Sequence, residues 1–294
     1  MLIREKLEQG DFSNNEKVVA SYILEQKLNI KNMTVKEIAE ATFTSSSALS
    51  RVAHKMNYKS WNAFKEAYLE EELYLESHFH EIDANYPFTR KDSFVTIESK
   101  LARLYIETIE DTVTLNGYES LYQAVDIMQK TSGINLFGLS DNLLAAQQFQ
   151  TKLLRIGKMS HVAMDVYEGS YLSRTCPIDS CAIVLSYTGE TSVLLEDTKC
   201  LKKRGIPVIA ITSVGENSLS NLADCVLRIC TREKLYSKIG NFSSMCSMNY
   251  MLDVLYSCYF SRNYEQNMKI KLRIGHEAES CRRTTNTILL EDDF

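Results

Sequence analysis

Long hydrophobic runs are missing from this chain of 294 residues: no uninterrupted apolar span approaches the roughly 18 residues that mark a transmembrane helix. The start, Met1-Leu2-Ile3-Arg4-Glu5-Lys6, lacks the apolar core of a signal peptide. Both absences predict a cytoplasmic protein that does not enter a membrane. Paired cysteines are missing too. Eight cysteines are scattered without a Cys-x-x-Cys pair, and several, such as Cys181, Cys230 and Cys258, sit in apolar stretches. That pattern predicts reduced, mostly buried thiols rather than a disulfide framework or a zinc site. His78-x-His80 has no further ligands at suitable spacing and reads as two surface histidines, so neither metal nor cofactor is expected. No internal repeat or low-complexity tract is visible. Excess positive charge is absent as well: the net charge is −5, which argues against nucleic-acid binding if the charge is spread evenly.

The charge is uneven. Residues 31–65 hold Lys31, Lys36, Arg51, Lys55, Lys59 and Lys65 against Glu37 and Glu40, a local +4 that leaves −9 for the rest. Such a basic face suits a phosphate backbone, and it equally suits a solvated surface. The length predicts about two domains, and an apolar content of 45% with 24% charged residues is that of a globular protein.

The most informative stretch is Ala182-Ile183-Val184-Leu185-Ser186-Tyr187-Thr188-Gly189-Glu190-Thr191. An apolar run of strand character stops at Ser186, and a helix-like run extends from near Thr191 to about Lys203. Ser186, Thr188 and Thr191 can turn hydroxyls toward one point, Gly189 permits a sharp bend, and the free N–H groups of the helix add donors. Together these make an anion cradle suited to a phosphate ester. An ordinary strand–turn–helix crossing with capping hydroxyls has the same pattern.

A second strand, 134–139, leads through Ser140-Asp141-Asn142 into an amphipathic helix that either Ser140 or Asp141 can cap. A third, Val208-Ile209-Ala210-Ile211, ends at Thr212-Ser213. Polar turns at the carboxyl ends of strands are where open parallel sheets bind ligands. The segment Ser186–Thr191 resembles the signature of the sugar isomerase (SIS) domain, a strand, then Ser-x-Ser/Thr-Gly-Glu/Asp-Thr, then a helix.

Further forward, Ser13-Asn14-Asn15-Glu16 and Thr34-Val35-Lys36-Glu37 are capping-box patterns, each opening a helix. After Thr42-Phe43-Thr44, Ser45 is placed to cap a helix whose Leu49, Val52, Ala53 and Met56 face inward. Ser46, Ser47, Ser50, Arg51, His54 and Lys55 line the other side, a set suited to bases and phosphates in a major groove. The short connection makes a helix-turn-helix unit. This module ahead of an SIS domain resembles the RpiR family of bacterial transcription regulators, over about residues 1–260. The resemblance rests on Glu16-Lys17-Val18-Val19-Ala20-x-Tyr22-Ile23-Leu24, Ile38-Ala39-Glu40-Ala41, Ser45 through Arg51, and Phe64-Lys65. Phe43, Ala48 and Asn57 depart from the usual small residue, Thr and Gly. In the first SIS loop the usual Gly-x-Gly-x-Ser is replaced by Gly138-Leu139-Ser140-Asp141-Asn142, with Asn142 at the sugar-contacting position.

The resemblance implies an all-α helix-turn-helix domain followed by a doubly wound, mostly parallel α/β SIS domain of about five strands. Expected boundaries are a DNA-binding domain at 1–76, a linker and connecting helix at 77–105, the SIS domain at 106–262 and a tail at 263–294. It further implies a DNA operator, a phosphorylated sugar or amino-sugar effector, and a homodimer or higher homo-oligomer with effector sites near the pairing surface. Ser186, Thr188, Gly189, Glu190, Thr191, Gly138, Ser140 and Asn142 are the expected effector residues. Ser45, Ser46, Ser47, Ser50, Arg51 and Lys55 are the expected DNA contacts. The competing class is a sugar phosphate isomerase with an added helical domain, for which Glu190 or His276-Glu277 would supply acid and base. No catalytic residue is expected, because Glu190 reads as orienting its loop or contacting a neighbouring subunit, and His276-Glu277 as part of a solvated helix.

Overall fold

A computed structural model describes residues 2–77 and 82–279, together with Cys281, Arg283 and Thr285. His78-x-His80 and most of the last dozen residues lie outside the described residues. The chain divides into two compact units: Met1–Asp111 with Val214–Asn217 and Lys234–Ile239, and Thr112–Ser213 with Ser218–Glu233 and Gly240–Phe294.

The first unit is helical, with α1 (Ile3–Gln9), α2 (Asn14–Gln26), a 3-10 turn (Lys27–Asn32), α3 (Val35–Ala41), α4 (Ser46–Lys55), α5 (Trp61–Ser77) and most of α6 (Phe94–Thr114). Both capping boxes are at work. The Ser13 N–H donates to Glu16 Oε2 at 2.9 Å. Thr34 N–H donates to Glu37 Oε2 at 2.7 Å, and Glu37 N–H donates back to Thr34 Oγ1 at 3.2 Å. Val19, Ile23, Ile38, Leu49, Val52, Phe64 and Tyr68 form one apolar cluster. Four residues of the α4 segment, Leu49, Val52, Ala53 and Met56, are buried in that cluster, as the helical period requires. The turn between α3 and α4 places Phe43 at φ 52°, and the residue after the α4 C-cap, Asn57, sits at φ 65°. Left-handed backbone is costly for a side chain with a Cβ, which accounts for the small residue or Gly usual at these two positions.

The second unit runs α7 (Tyr118–Lys130), β1 (Ile134–Gly138), α8 (Asp141–Leu154), β2 (Ser160–Val162), α9 (Val166–Thr175), β3 (Cys181–Ser186), α10 (Ser192–Lys203), β4 (Val208–Ser213), α11 (Ser218–Leu222), β5 (Cys225–Ile229), α12 (Phe242–Arg262) and α13 (Tyr264–Ala278). Every strand pairing is parallel, in the order β2-β1-β3-β4-β5. The central strands have unbroken apolar runs because both faces of the sheet are covered. Ile134, Leu136, Ile183, Leu185, Ile209 and Ile211 pack on one side, against residues of α7, α8 and α12. Phe137, Ala182, Val184, Val208 and Ala210 alternate with them on the other side, in a cluster with Leu194 and Leu201 of α10. Beyond 262, where the sequence reads as a charged tail, residues 264–278 are helical. His276 and Glu277 lie exposed on that helix.

Candidate functional site

Strand order decides where the two polar loops of the second unit meet. From β1 the chain moves outward to β2, whereas from β3 it moves the other way, to β4 and then β5. The reversal lies between β1 and β3, with Gly138 opposite Leu185. A doubly wound sheet opens a crevice at such a reversal, beyond the carboxyl ends of the strands. The loops after Gly138 and Ser186 therefore flank one crevice.

In the second loop, Ser186 is only 3% exposed. Its Oγ accepts from the Gly189 N–H at 3.2 Å and lies 3.3 Å from Thr191 Oγ1. Gly189 has φ 68°, so the bend uses the freedom of glycine. Thr188 does not share the close contact of Ser186 with Thr191: its Oγ1 accepts from the Glu190 N–H at 3.2 Å at the exposed rim. Glu190 Oε1 accepts from the Ser218 N–H at 2.8 Å. Hydrogen bonds from the side chain and backbone of Ser218 hold the Glu190 carboxyl below the usual range. Gly189 is tied to the same segment, since the Leu219 N–H donates to its carbonyl at 3.0 Å. Thr191 occupies the N-cap of α10 without a side-chain cap, so the N–H groups of the first turn, Ser192 to Leu194, face out of the helix end. The loop thus offers hydroxyls and helix-end N–H groups to an anion. Beside it a groove of about 180 Å³ includes Ser170, Arg174, Ser192 and Asp197 in its lining.

The first loop is tight. A Cβ on Gly138 would come within 3.2 Å of the Asn142 backbone, so a larger residue there would push the start of α8 outward by a few tenths of an ångström. Ser140 is the N-cap of α8 in position, but its side chain makes no capping bond and its backbone lies at φ 54°, ψ −129°. Asp141 is not the cap either. It is the first helical residue, and its Oδ2 accepts from Asn241 Nδ2 at 2.5 Å. Asn142 is half-buried in the first turn of α8.

On the helical unit, Ser45, Ser46, Ser47, Ser50, Arg51 and Lys55 are all exposed, along α4 and at its N-cap. Sequence reasoning makes Ser45 a cap, yet its Oγ lies 2.7 Å from Ser47 Oγ and caps no backbone N–H. Arg51 Nη1 donates to Ser47 Oγ at 3.2 Å, and its Nε donates to Glu16 Oε1 at 3.3 Å. Lys55 Nζ donates to Glu16 Oε2 at 2.8 Å and to the Asp11 carbonyl at 2.9 Å. Ser45, Ser47, Arg51 and Lys55 therefore join in one network, while Ser46 and Ser50 lie outside it. Glu16 is 3% exposed and is the residue sequence reasoning misses, being visible there as a capping-box acid and part of the RpiR pattern but not as a partner of Arg51 and Lys55. The Lys55 hydrogen bond, with that of the Ser13 N–H, lowers its pKa to about 2.

Residues 1–74 match the family model "Helix-turn-helix domain, rpiR family", and residues 127–257 match the SIS domain model. The chain belongs to the RpiR family of transcription regulators. Among its relatives, an uncharacterised HTH-type transcriptional regulator of Caldanaerobacter subterraneus subsp. tengcongensis is 23% identical, covering 94% of this chain and 96% of the relative. The uncharacterised HTH-type transcriptional regulator YbbH of Bacillus subtilis is 26% identical, covering 85% and 87%. The Vibrio vulnificus NanR protein complexed with ManNAc-6P has a similar fold, with TM-score 0.60, 22% identity and coverage of 96% of this chain and 99% of that one. The sugar isomerase domain of an RpiR transcription factor from Sphaerobacter thermophilus superposes on 61% of this chain and 98% of its own, with TM-score 0.55 and 16% identity. Within the RpiR pattern, Ser140 stands where the first loop usually has its second glycine, and its positive φ shows that the backbone keeps the glycine geometry without the glycine.

Proposed function

We propose that this RpiR-family chain is a DNA-binding regulator of carbohydrate metabolism whose SIS domain senses a phosphorylated sugar or amino sugar. The observation that carries the reading is the Ser186–Thr191 loop at the β1/β3 reversal, on the same chain as a helix that exposes Arg51, Lys55 and a row of serines. Ser186, Thr188, Gly189 and Thr191 hold the phosphate together with the α10 N-terminus, Glu190 fixes the loop, and Gly138, Ser140 and Asn142 face the sugar. Ser45, Ser46, Ser47, Ser50, Arg51 and Lys55 meet DNA. The protein is a sensor rather than an isomerase. Glu190, the nearest candidate base, is held by Ser218, and a carboxyl below its usual range is a poor base at neutral pH.

One helix-turn-helix contacts few bases, so the working form is at least a homodimer, whose two modules read half-sites about 34–36 Å apart. Effector controls DNA binding only if it binds the two arrangements of the modules with different affinity, and DNA must then alter effector affinity by the same factor. The test is a thermal-shift screen of phosphorylated sugars and amino sugars, ManNAc-6P included, followed by calorimetric titration with and without operator DNA. Light scattering counts the subunits. Ligand-induced stabilisation and a changed affinity on DNA support the reading. Equal affinities in both titrations, or a monomer on DNA, defeat the coupled mechanism, and turnover of a sugar phosphate would restore the isomerase alternative.

A further inference from the structure

The recognition helix carries its cations in an unusual setting. Arg51 and Lys55 lie one turn apart on α4 and project to the same side. Both reach back to a single carboxylate on α2 that is itself 3% exposed, whereas their own side chains are 52% and 45% exposed. Glu16 Oε1 takes Arg51 Nε, and Glu16 Oε2 takes Lys55 Nζ and the Ser13 N–H. Each cation has further contacts: Arg51 Nη1 donates to Ser47, and Lys55 Nζ also donates to the Asp11 carbonyl and lies over the Phe12 ring at 5.9 Å. Surface lysines and arginines ordinarily lose rotamer freedom when they engage a ligand. Here both side chains already hold hydrogen bonds to the protein before any ligand arrives. Two of the five Arg51 N–H donors are engaged, which leaves a guanidinium of set orientation with donors to spare for a base edge or a phosphate.

We infer that Glu16 is a positioning residue for DNA recognition, which fixes Arg51 and Lys55 against α4 and offsets one of their two charges. The inference rests on the DNA-binding reading given above. It assigns Glu16 two consequences. Binding to any duplex through bulk charge is weaker than two unpaired cations would make it, because a carboxylate sits beside the phosphates. Binding to the right duplex is favoured, because the side chains are already placed. Glu16 thus raises the ratio of specific to non-specific binding, the quantity that determines whether a regulator finds its site.

The test uses the full chain and two probes, a duplex selected from a random pool by the unmodified protein and a scrambled duplex of equal length. Glu16→Gln keeps an acceptor for the Ser13 N–H but removes the charge. It is expected to tighten binding to the scrambled duplex by about 3- to 10-fold and to steepen its log–log salt slope by up to about 0.9. Affinity for the selected duplex should stay level or fall, so the specificity ratio drops by at least about 3- to 10-fold. Glu16→Asp keeps the charge on a shorter stem that cannot hold both cations. With it, scrambled binding should stay within about twofold while selected binding weakens. In an Arg51→Ala/Lys55→Ala background, Glu16→Gln should lose its effect on the ratio. An equal change on both duplexes, or a ratio effect that persists without Arg51 and Lys55, would overturn the positioning role. If Glu16→Gln fails to fold, the Glu16→Asp comparison decides alone. Failure of the unmodified chain to bind any duplex would overturn the DNA-binding reading itself, and is distinct from every outcome above.

Discussion

Replacing Ser186 by alanine separates the two tasks assigned to the second SIS loop. In the unliganded protein the Ser186 hydroxyl is the acceptor for the Gly189 N–H, and both residues are buried. Ser186→Ala leaves that buried N–H without its acceptor, at a cost of about 1–3 kcal/mol. For a domain of about 150–250 residues, each kcal/mol lowers the melting temperature by about 2–4 °C, so unliganded Ser186→Ala should melt about 2–12 °C lower. The second effect is on ligand. A hydrogen bond to a charged group contributes about 1.5–3 kcal/mol, so loss of the Ser186 contact to phosphate should raise Kd roughly 10- to 150-fold. Differential scanning calorimetry reads the first effect. Isothermal titration, at a temperature where both proteins are folded and with a phosphorylated sugar that the unmodified protein binds, reads the second. Unchanged Kd would remove the loop from the phosphate site even if the melting temperature fell. An unchanged melting temperature would show that the Gly189 N–H finds another acceptor, and the energetic account of the bend would be wrong.

Thr188→Val should weaken phosphorylated ligands by about 1–2 kcal/mol in the same titration, with little change in unliganded melting. Its bond to the Glu190 N–H is at the exposed rim, where water can take over. Ser140→Gly should stabilise the protein by about 0.5–2 kcal/mol in denaturant unfolding, because glycine adopts φ 54°, ψ −129° without the Cβ conflict; a loss of stability would reveal a compensating contact of the serine side chain. Glu16 supplies a pH signature. Its folded pKa of about 2 lies below the ordinary 4.5, so its contribution to stability is complete above pH 4.5 and is lost as pH falls toward 2. Glu16→Gln should flatten that part of a melting-temperature profile between pH 7 and 3, and an unchanged slope would mean that the Lys55 and Ser13 hydrogen bonds do not hold the carboxylate.

Much of this architecture is legible because it is local. Apolar runs such as Ile183-Val184-Leu185 and Val208-Ile209-Ala210-Ile211 announce strands covered on both faces, and Ser13/Glu16 and Thr34/Glu37 announce helix starts within four residues. The polar loops after β1 and β3 are visible for the same reason. Their meeting is not, since nothing within either segment says that β2 pairs on the far side of β1 and so makes the reversal fall between them. The missing glycine at Ser140 is visible as a departure from the RpiR pattern, but its positive φ is a property of the folded turn between β1 and α8 and not of the residue type.

Glu16 marks the limit most clearly. A capping box and an ion-pair hub ask the same thing of the sequence, an acidic residue three positions after a serine. What separates them is a partner 35 and 39 residues away, brought close only because α2 packs on α4. Ser45 errs in the opposite direction. It has the residue type and position of an N-cap, but its hydroxyl turns to Ser47, and Ser47 in turn receives Arg51. Local rules therefore place these side chains correctly along the chain, but they give Glu16 only its Ser13 partner and give Ser45 the wrong one. At α4 it is the non-local partners that determine how the recognition helix presents its charge.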